Sequence, residues 1–483
     1  MQNPALIPTH DEDFLYLQIA DRIGSQINQL VLKTGEKLPS VRALSHEQGI
    51  SMSTAYKAYV QLEIKGLIEA RPKSGYYVRY TPTQPFDTAK RGEKVNTTKQ
   101  RNVDEMIAMV YSNFSTEGIV KLSVAAPALN LLPQAKLNKS MMEVIRLSAD
   151  SCINYDHIQG NEILRKHIAR QSFSWGGNVA PDEVVTTQGC MEALVFCLRA
   201  VTKPGDAVAI ESPAYFGIFT IIQSLGLKII EVPTDPLAGI DLDFLERSMS
   251  EQFIKACLFV PSFSNPLGYC MTNEKKKKLV DLLAKNAVPL IEDDIYGEMY
   301  FGKMRPRTCK SYDKTGMVML CSSVSKSLAP GYRVGWCIPG KFKSQIINLK
   351  LMHTLSSASP THAAIGHFFE TGRYDLHMRN LRKALHTQCL RYTQAIAEYF
   401  PAGVKVSRPQ GGYVLWIELD KKINAFELYE HALTYNISIS PGQIFSTDSR
   451  FTNFIRISFG IPYNDEIERS LKTLGKLISD FKG

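Results

Sequence analysis

Residues 317–336 read MVMLCSSVSKSLAPGYRVGW. Met317–Cys321 is an apolar run too short for a helix and closed by a serine cluster, which predicts a buried strand. Lys326 follows in the turn, with Arg333 seven residues further on. In a parallel α/β sheet the carboxyl ends of the strands line the ligand crevice, so this lysine stands where a ligand would sit. A lysine that forms a Schiff base must give up its proton, and partial burial beside other cations favours that. Ser323, Ser325 and Arg333 together suit a phosphate. Alone, S-x-S-K is a weak signal, and an exposed loop lysine is the simpler account.

The flanking sequence repeats the pattern. Short β-rich stretches, AVAIES (207–212), ACLFVPS (256–262), VPLIED (288–293), GMVMLCSS (316–323) and GWCIP (335–339), alternate with longer helical ones. That alternation marks an α/β domain with a largely parallel sheet. Polar residues follow several of the strands. Asp293 after VPLIED suits a pyridine nitrogen, kept protonated so that the ring is an electron sink, and Tyr296 suits the ring 3-oxygen. Asn265, before Pro266, suits the same oxygen. In VVTTQGCMEALVFCL a strand runs into a helix, leaving the N–H groups of Gly189, Cys190 and Met191 at a helix N-terminus, a phosphate-binding geometry. Tyr215, in ESPAYFG, suits stacking on an aromatic ring. Each has a plain alternative: an acidic helix cap, an Asn-Pro turn, a strand–helix turn, a core aromatic. From about residue 375 the chain carries helices and two β segments, GGYVLWIEL and FIRISFG, and reads as a smaller α+β lobe.

The chain has 483 residues, 44% hydrophobic and 21% charged, which suits a soluble globular protein of two or three domains rather than a disordered or fibrous one. The opening MQNPALIPTHDEDF lacks the basic-then-apolar pattern of a secretory signal, and no apolar run nears the ~20 residues of a membrane span. A cytoplasmic location and no membrane partner are expected. The nine cysteines form no C-x-x-C pair and are scattered from Cys152 to Cys389. They read as buried small hydrophobes, not as disulfides or a metal site.

The net charge of +9 is localised. Residues 14–80 hold nine Lys/Arg against five acids, and 81–102 hold five against two. Leu15, Ile19, Ile23, Ile27 and Leu30 recur at helical spacing, and Gly35 breaks that helix. Ser40 caps a second helix that Gly49 ends, and Ser51 or Ser53 caps a third over about 52–65. LIEA and YYVRY then flank a turn of Arg71, Pro72, Lys73, Ser74 and Gly75. Helix, helix, tight turn, helix and hairpin is the layout of a winged helix-turn-helix. The third helix would turn Ser51, Met52, Ser53 and Tyr56 toward a major groove. Arg42 would reach phosphate or a guanine edge, and Arg71, Lys73 and Gly75 of the wing would meet phosphates or the minor groove. A small protein-interaction module is the alternative. Residues 81–102 have linker composition.

The string GEKLPSVRALSHEQGISMSTAYKAYVQLEIKGLIEARPKSGYYV resembles the GntR-type winged-helix domain. In that family the residues matching Arg42, Ser51, Ser53, Tyr56 and the wing touch DNA, and Met52 stands at a position often polar in relatives. Residues 119–483 resemble the aminotransferase class I/II family of pyridoxal-phosphate enzymes of fold type I. Phosphate loop, stacking aromatic, Asn-Pro-x-Gly, Asp-x-x-Tyr and S-x-S-K with a trailing Arg occur in the family's order. The resemblance implies pyridoxal phosphate held as an aldimine on Lys326, with Asp293 on the pyridine nitrogen and Asn265 and Tyr296 on the 3-oxygen. Ser323, Ser325, Arg333 and Gly189–Met191 would surround the phosphate. It implies that Tyr155 reaches the phosphate of a partner subunit in a domain-swapped homodimer, and that Arg456 binds a substrate α-carboxylate. Two departures bear on turnover: Cys190 and Met191 where relatives carry a hydroxyl or amide, and Ala125 and Ala126 where a glycine is usual.

The combination resembles the MocR-type transcriptional regulators. The expected architecture is a winged helix-turn-helix over 13–80, a linker over 81–118, and an α/β transferase domain over 119–483. The large lobe is expected at about 150–370 and the small lobe at about 119–149 and 371–483. The resemblance implies a regulator that binds double-stranded DNA and senses an amino compound or the cofactor. The other reading is a competent aminotransferase with an appended DNA-binding domain; Lys326, Asp293, Tyr296 and Arg456 support at least vestigial transamination.

Overall fold

The computed structural model describes residues 15–28, 31–32, 36–64, 67–71, 74–78, 103–113, 116–148, 150, 152–448 and 450–481. The chain forms two compact units, residues 1–85 and 86–483.

The first unit runs α1 (Leu15–Asn28), α2 (Val41–Glu47), α3 (Met52–Ile64) and an antiparallel hairpin of β1 (Ile68–Arg71) and β2 (Gly75–Val78). This is the expected winged helix-turn-helix. Ile19, Ile27, Leu44, Tyr59, Leu62 and Val78 are among the residues that close its core, while Leu15 is 53% exposed. Leu30, Gly35 and Lys73 lie outside the described residues. Ser40 caps α2 by accepting from the Ala43 amide (3.1 Å). Of the two serines expected as caps of α3, Ser51 serves, accepting from the Thr54 amide (3.0 Å). Each such cap is worth about 1 kcal/mol. Gly49 closes α2 in the left-handed region, φ +61°. Tyr59 donates to the Pro39 carbonyl (2.7 Å) and so ties α3 to the entrance of α2.

Residues 81–102, expected as linker, lie outside the described residues. Residues 103–112, expected as its continuation, are helix α4 (Val103–Ser112), with Met106 and Val110 buried in the core of the second unit. Val103, Met106, Ile107 and Val110 fall at i, i+3, i+4 and i+7, and Asp104 and Glu105 complement the dipole in the first turn.

The second unit opens on β3 (Val120–Lys121) and helix α5 (Gln134–Leu147). Its main sheet comprises β4 (Val185–Thr187), β5 (Ala207–Ser212), β6 (Lys228–Asp235), β7 (Gly239–Ile240), β8 (Ile254–Phe259), β9 (Leu290–Asp293), β10 (Val318–Ser323) and β11 (Gly335–Ile338). The order is β4-β11-β10-β9-β8-β5-β6-β7. β6, β5, β8, β9 and β10 are parallel neighbours, while β11 is antiparallel to both β10 and β4. Every residue of β5, β9 and β10 is buried, as expected of strands covered on both faces.

The smaller lobe holds β12 (Lys405–Val406), β13 (Val414–Glu418), β14 (Ile437–Ser438), β15 (Ser440–Pro441) and β16 (Phe454–Ser458). Its sheet runs β12-β13-β16-β15, and β14 pairs in parallel with β3. α5, expected in this lobe, packs against helix Ser359–Glu370, expected in the large lobe. All nine cysteines are free, seven of them buried, with Cys152 and Cys270 partly exposed. No helix among the described residues is long and apolar enough to cross a membrane.

Candidate functional site

The segments that follow β4, β5, β8, β9 and β10 meet at one cavity of about 240 Å3. Lys326, Asp293, Tyr296, Asn265, Tyr215 and Arg456 all line it. Cys190, Met191, Ser323, Ser325 and Arg333 line it as well, as do Ala125 and Ala126. Tyr155 is not on this wall; it is 81% exposed on the surface.

The register explains the convergence. Cys321 of β10 pairs with Asp293 of β9, so the last residue of β9 lies beside the strand whose continuation carries Lys326. Lys326 Nζ donates to the Ala125 carbonyl (2.8 Å), and Tyr413 Oη holds the Lys326 carbonyl. Burial lowers the Lys326 amine to about 8, Arg456 and Arg333 push the same way, and Asp293 opposes them. A substantial share of this amine is therefore neutral near pH 7–8 and able to attack a carbonyl.

Asp293 accepts from the Ile295 amide (3.1 Å) and from the Cys190 thiol (3.4 Å) at the same oxygen, Oδ1. Burial pushes it up to about 6, yet it remains mostly ionised at neutral pH, as a partner for a protonated ring nitrogen must be. Burial also raises Tyr296 to about 12, so its phenol is a donor. Asn265 Nδ2 donates to Tyr296 Oη (3.5 Å), so the two side chains meet on the cavity wall.

The phosphate corner is built on Gly189, the residue before helix Cys190–Val201. Its φ of +87° favours glycine, and a Cβ there would stand 2.4 Å from Arg333 Nη2 and displace that side chain. Arg333, itself left-handed at φ +56°, donates from Nη2 to the Gln188 carbonyl (3.2 Å) and from Nη1 to Ser325 Oγ (3.3 Å). Ser323 Oγ accepts from the Ser325 amide (3.2 Å). The first amides of the helix have no partner within it. With the Cys190 thiol turned to Asp293, an anion here would be held by backbone N–H groups, Ser325 and Arg333.

Arg456 is 2% exposed, not a surface strand residue. Nη1 donates to Asn265 Oδ1 (3.0 Å), and Nη2 donates to Ser440 Oγ (2.9 Å) and to the Ser123 carbonyl. Its Nε has no hydrogen-bond partner among the described residues, an open donor for an anion. Burial lowers this guanidinium to about 10. The sequence missed four supports of the site: Ser123, Ser440, Tyr413 and Tyr111, whose hydroxyl lies 3.1 Å from that of Tyr215. Only the helical spacing of 103–110 offered a signal, and only for the last. The donor set fits pyridoxal phosphate: a neutralisable amine, a buried carboxylate, an amide–phenol pair and a phosphate corner, all on one cavity.

In the winged-helix unit Arg42, Ser51, Met52, Ser53, Tyr56 and Gly75 are all exposed, although Met52 and Tyr56 are large apolar side chains at 51% and 54% exposure. Tyr56 lies on the open face of α3 while Tyr59 fills the core. Ser51 Oγ is occupied by its cap and by Thr54 Oγ1 (2.8 Å). The Arg71 backbone lies in β1, paired with Gly75.

Comparison with known proteins bears on both units. The family described as aminotransferase class I and II matches residues 117–474, and bacterial regulatory proteins of the gntR family match residues 15–78. The chain is 39% identical to the uncharacterized HTH-type transcriptional regulator YdcR of Escherichia coli (strain K12), over 96% of this chain and 99% of that one. It is 26% identical to the HTH-type transcriptional regulator NorG of Staphylococcus aureus (strain USA300), over 90% of this chain and 98% of that one. Among solved structures, kynurenine aminotransferase of Pyrococcus horikoshii, in complex with PMP, is 26% identical with a TM-score of 0.72, covering 80% of this chain and 96% of that one. Multiple substrate aminotransferase of Thermococcus profundus is 25% identical with a TM-score of 0.72, covering 79% and 96%.

Proposed function

The chain belongs to the aminotransferase class I and II family, with a gntR-type regulatory domain at its N-terminus, and from that membership we propose a pyridoxal-phosphate-dependent, DNA-binding transcriptional regulator of the MocR type. The observation that carries the reading is the pairing, in one chain, of an intact Lys326–Asp293–Arg456 cavity with an exposed recognition face at Arg42, Ser53 and Tyr56.

When bound, the cofactor supplies a carbonyl carbon for amines and an electron-withdrawing ring. The residues of this chain do the rest. Lys326 offers its amine, Asp293 holds the proton of the ring nitrogen, and Asn265 and Tyr296 donate to the 3-oxygen. Gly189–Met191, Ser323, Ser325 and Arg333 hold the phosphate, Tyr215 covers the ring, and Arg456 takes a carboxylate. Tyr155 serves the cofactor of the partner subunit in a domain-swapped homodimer. Arg42, Ser51, Met52, Ser53, Tyr56 and the wing residues Arg71, Lys73 and Gly75 meet duplex DNA. The protein works in the cytoplasm, with a winged helix over 13–80, and it senses an amino compound or the cofactor itself.

The test is a DNA-binding titration of the full chain with and without pyridoxal phosphate and amino acids. Affinity that ignores both refutes the sensor. The intact amine, carboxylate and guanidinium also favour a second reading, an active aminotransferase. Brisk turnover of an amino acid with a keto acid would support it; ligand binding without turnover would favour the sensor.

A further inference from the structure

Helix α4 makes contacts that the proposed function does not use. Met106 and Val110 anchor it in the core. Asn113, just past its end, donates to Tyr429 Oη (2.8 Å), and Tyr429 Oη donates to the Met109 carbonyl (3.1 Å). The helix also packs on the turn Gly442–Phe445, and the Arg456 guanidinium lies over the Phe445 ring at 5.2 Å.

From the same helix Tyr111 reaches the cavity wall. Its hydroxyl lies 3.1 Å from Tyr215 Oη, and its ring meets Phe216 edge-on, centroids 5.2 Å apart. Burial lowers Arg456 to about 10, and the phenols of Tyr296, Tyr215 and Tyr111 oppose it, so Tyr111 lies within electrostatic reach of that guanidinium. Through Tyr215 this side chain touches the cavity wall that also carries Arg456. In sequence, α4 is the first helix after residues 81–102, which join the two units.

Resting on the reading of the cavity as a cofactor and amino-compound site, we propose that Tyr111 binds the carboxylate of an amine held at Arg456, and that α4 carries this event to the chain that leads to the winged helix. The chemistry favours the exchange. A carboxylate is a stronger acceptor than the neutral phenol of Tyr215, and its hydrogen bond from a phenol is charge-assisted. Turning the Tyr111 hydroxyl from Tyr215 to the carboxylate draws on the last turn of α4, which Asn113 and Met109 couple to the small lobe. The ligand class is an amine that also bears a carboxylate. An amine without one would react at the same carbonyl carbon and leave α4 undisturbed.

Two probes separate these cases. Aminooxyacetate and O-methylhydroxylamine both react at the cofactor carbonyl carbon, and only the first carries a carboxylate. Full-length holoprotein is titrated with a duplex selected from a random pool by the wild type. Aminooxyacetate should shift duplex affinity at least about fivefold, and O-methylhydroxylamine should leave it within about twofold, a difference of one charge-assisted hydrogen bond. Tyr111→Phe is read against its own cofactor absorbance and its own duplex affinity without a probe. It should lose the aminooxyacetate-dependent shift. A Tyr111→Phe protein that shifts like the wild type overturns the proposal, and so does a wild type that responds equally to both probes. A wild type that takes up no cofactor, or binds no duplex, refutes the underlying reading instead. Amide hydrogen exchange over 103–112 gives an independent readout: aminooxyacetate should alter it in the wild type and not in Tyr111→Phe.

Discussion

Raising the pH of the cofactor-free protein should speed its capture of pyridoxal phosphate up to about pH 8 and little beyond, because Lys326 titrates there. An ordinary lysine titrates near 10.4, so at pH 7 about one in 2,500 such amines is neutral, whereas for Lys326 the share is about one in ten. The difference is roughly 250-fold in reactive amine, or about 3 kcal/mol. Burial is the main cause, and the cations of Arg456 and Arg333 add to it. The sign for stability follows. The folded-state pKa is depressed, so the charged amine burdens the folded protein below pH 8, and the burden lifts as pH rises from about 8 toward 10.4. Lys326→Met should therefore stabilise the cofactor-free protein at pH 7 while abolishing the visible absorbance. Stopped-flow absorbance after mixing with pyridoxal phosphate gives the rate. Arg456→Met removes one of the cations and should move the plateau to higher pH. A rate that climbs tenfold per pH unit past pH 9, or a plateau that Arg456→Met does not move, would refute the reasoning.

Asp293→Asn should act in opposite directions on the two forms. Burial raises the carboxyl, so its ionised form burdens the empty site above pH 6, and the amide should raise the melting temperature of the cofactor-free protein at pH 7–8. The same change should weaken cofactor retention on dialysis by about tenfold or more, since a charge-assisted contact is lost. Gly189→Ala forces a Cβ against Arg333 and a side chain into left-handed backbone. It should cost about 1–2 kcal/mol in urea denaturation and loosen the phosphate corner, seen as a higher Kd for pyridoxal phosphate. Arg42→Ala should weaken duplex binding and lower the slope of log K against log salt by about one, because one phosphate contact is removed. An unchanged slope would remove Arg42 from the interface.

Much of this protein was legible in order and spacing. Local propensity placed the cap at Ser40, narrowed the next to Ser51 or Ser53 and placed the break at Gly49, because a cap is settled within four residues of chain. The apolar runs at 207–212, 288–293 and 316–323 became buried strands, because strands covered on both faces need no alternation. Lys326, Asp293, Asn265 and Tyr215 could be singled out because each follows such a run, and a parallel sheet sends all those ends to one edge. The polar, basic composition of 81–102 suggests a linker that continues through 103–112. There a single apolar face, Val103 to Val110, outweighed the impression of a continuing linker.

What the sequence by itself determined was the identity and order of the candidate site residues and the division into two units. The tertiary structure alone decided how those groups behave. The fall of Lys326 to about 8 depends on burial and on Arg456, which lies 130 residues further along the chain. The Ala125 carbonyl, the Tyr413 hydroxyl and the Cys190 thiol enter the site through backbone position and packing, which no motif encodes. Tyr111 meets Tyr215 only because α4 folds back onto the cofactor unit. Residue type is a local property, but desolvation, charge proximity and hydrogen-bond partners arise between segments distant in sequence, and these set the chemistry.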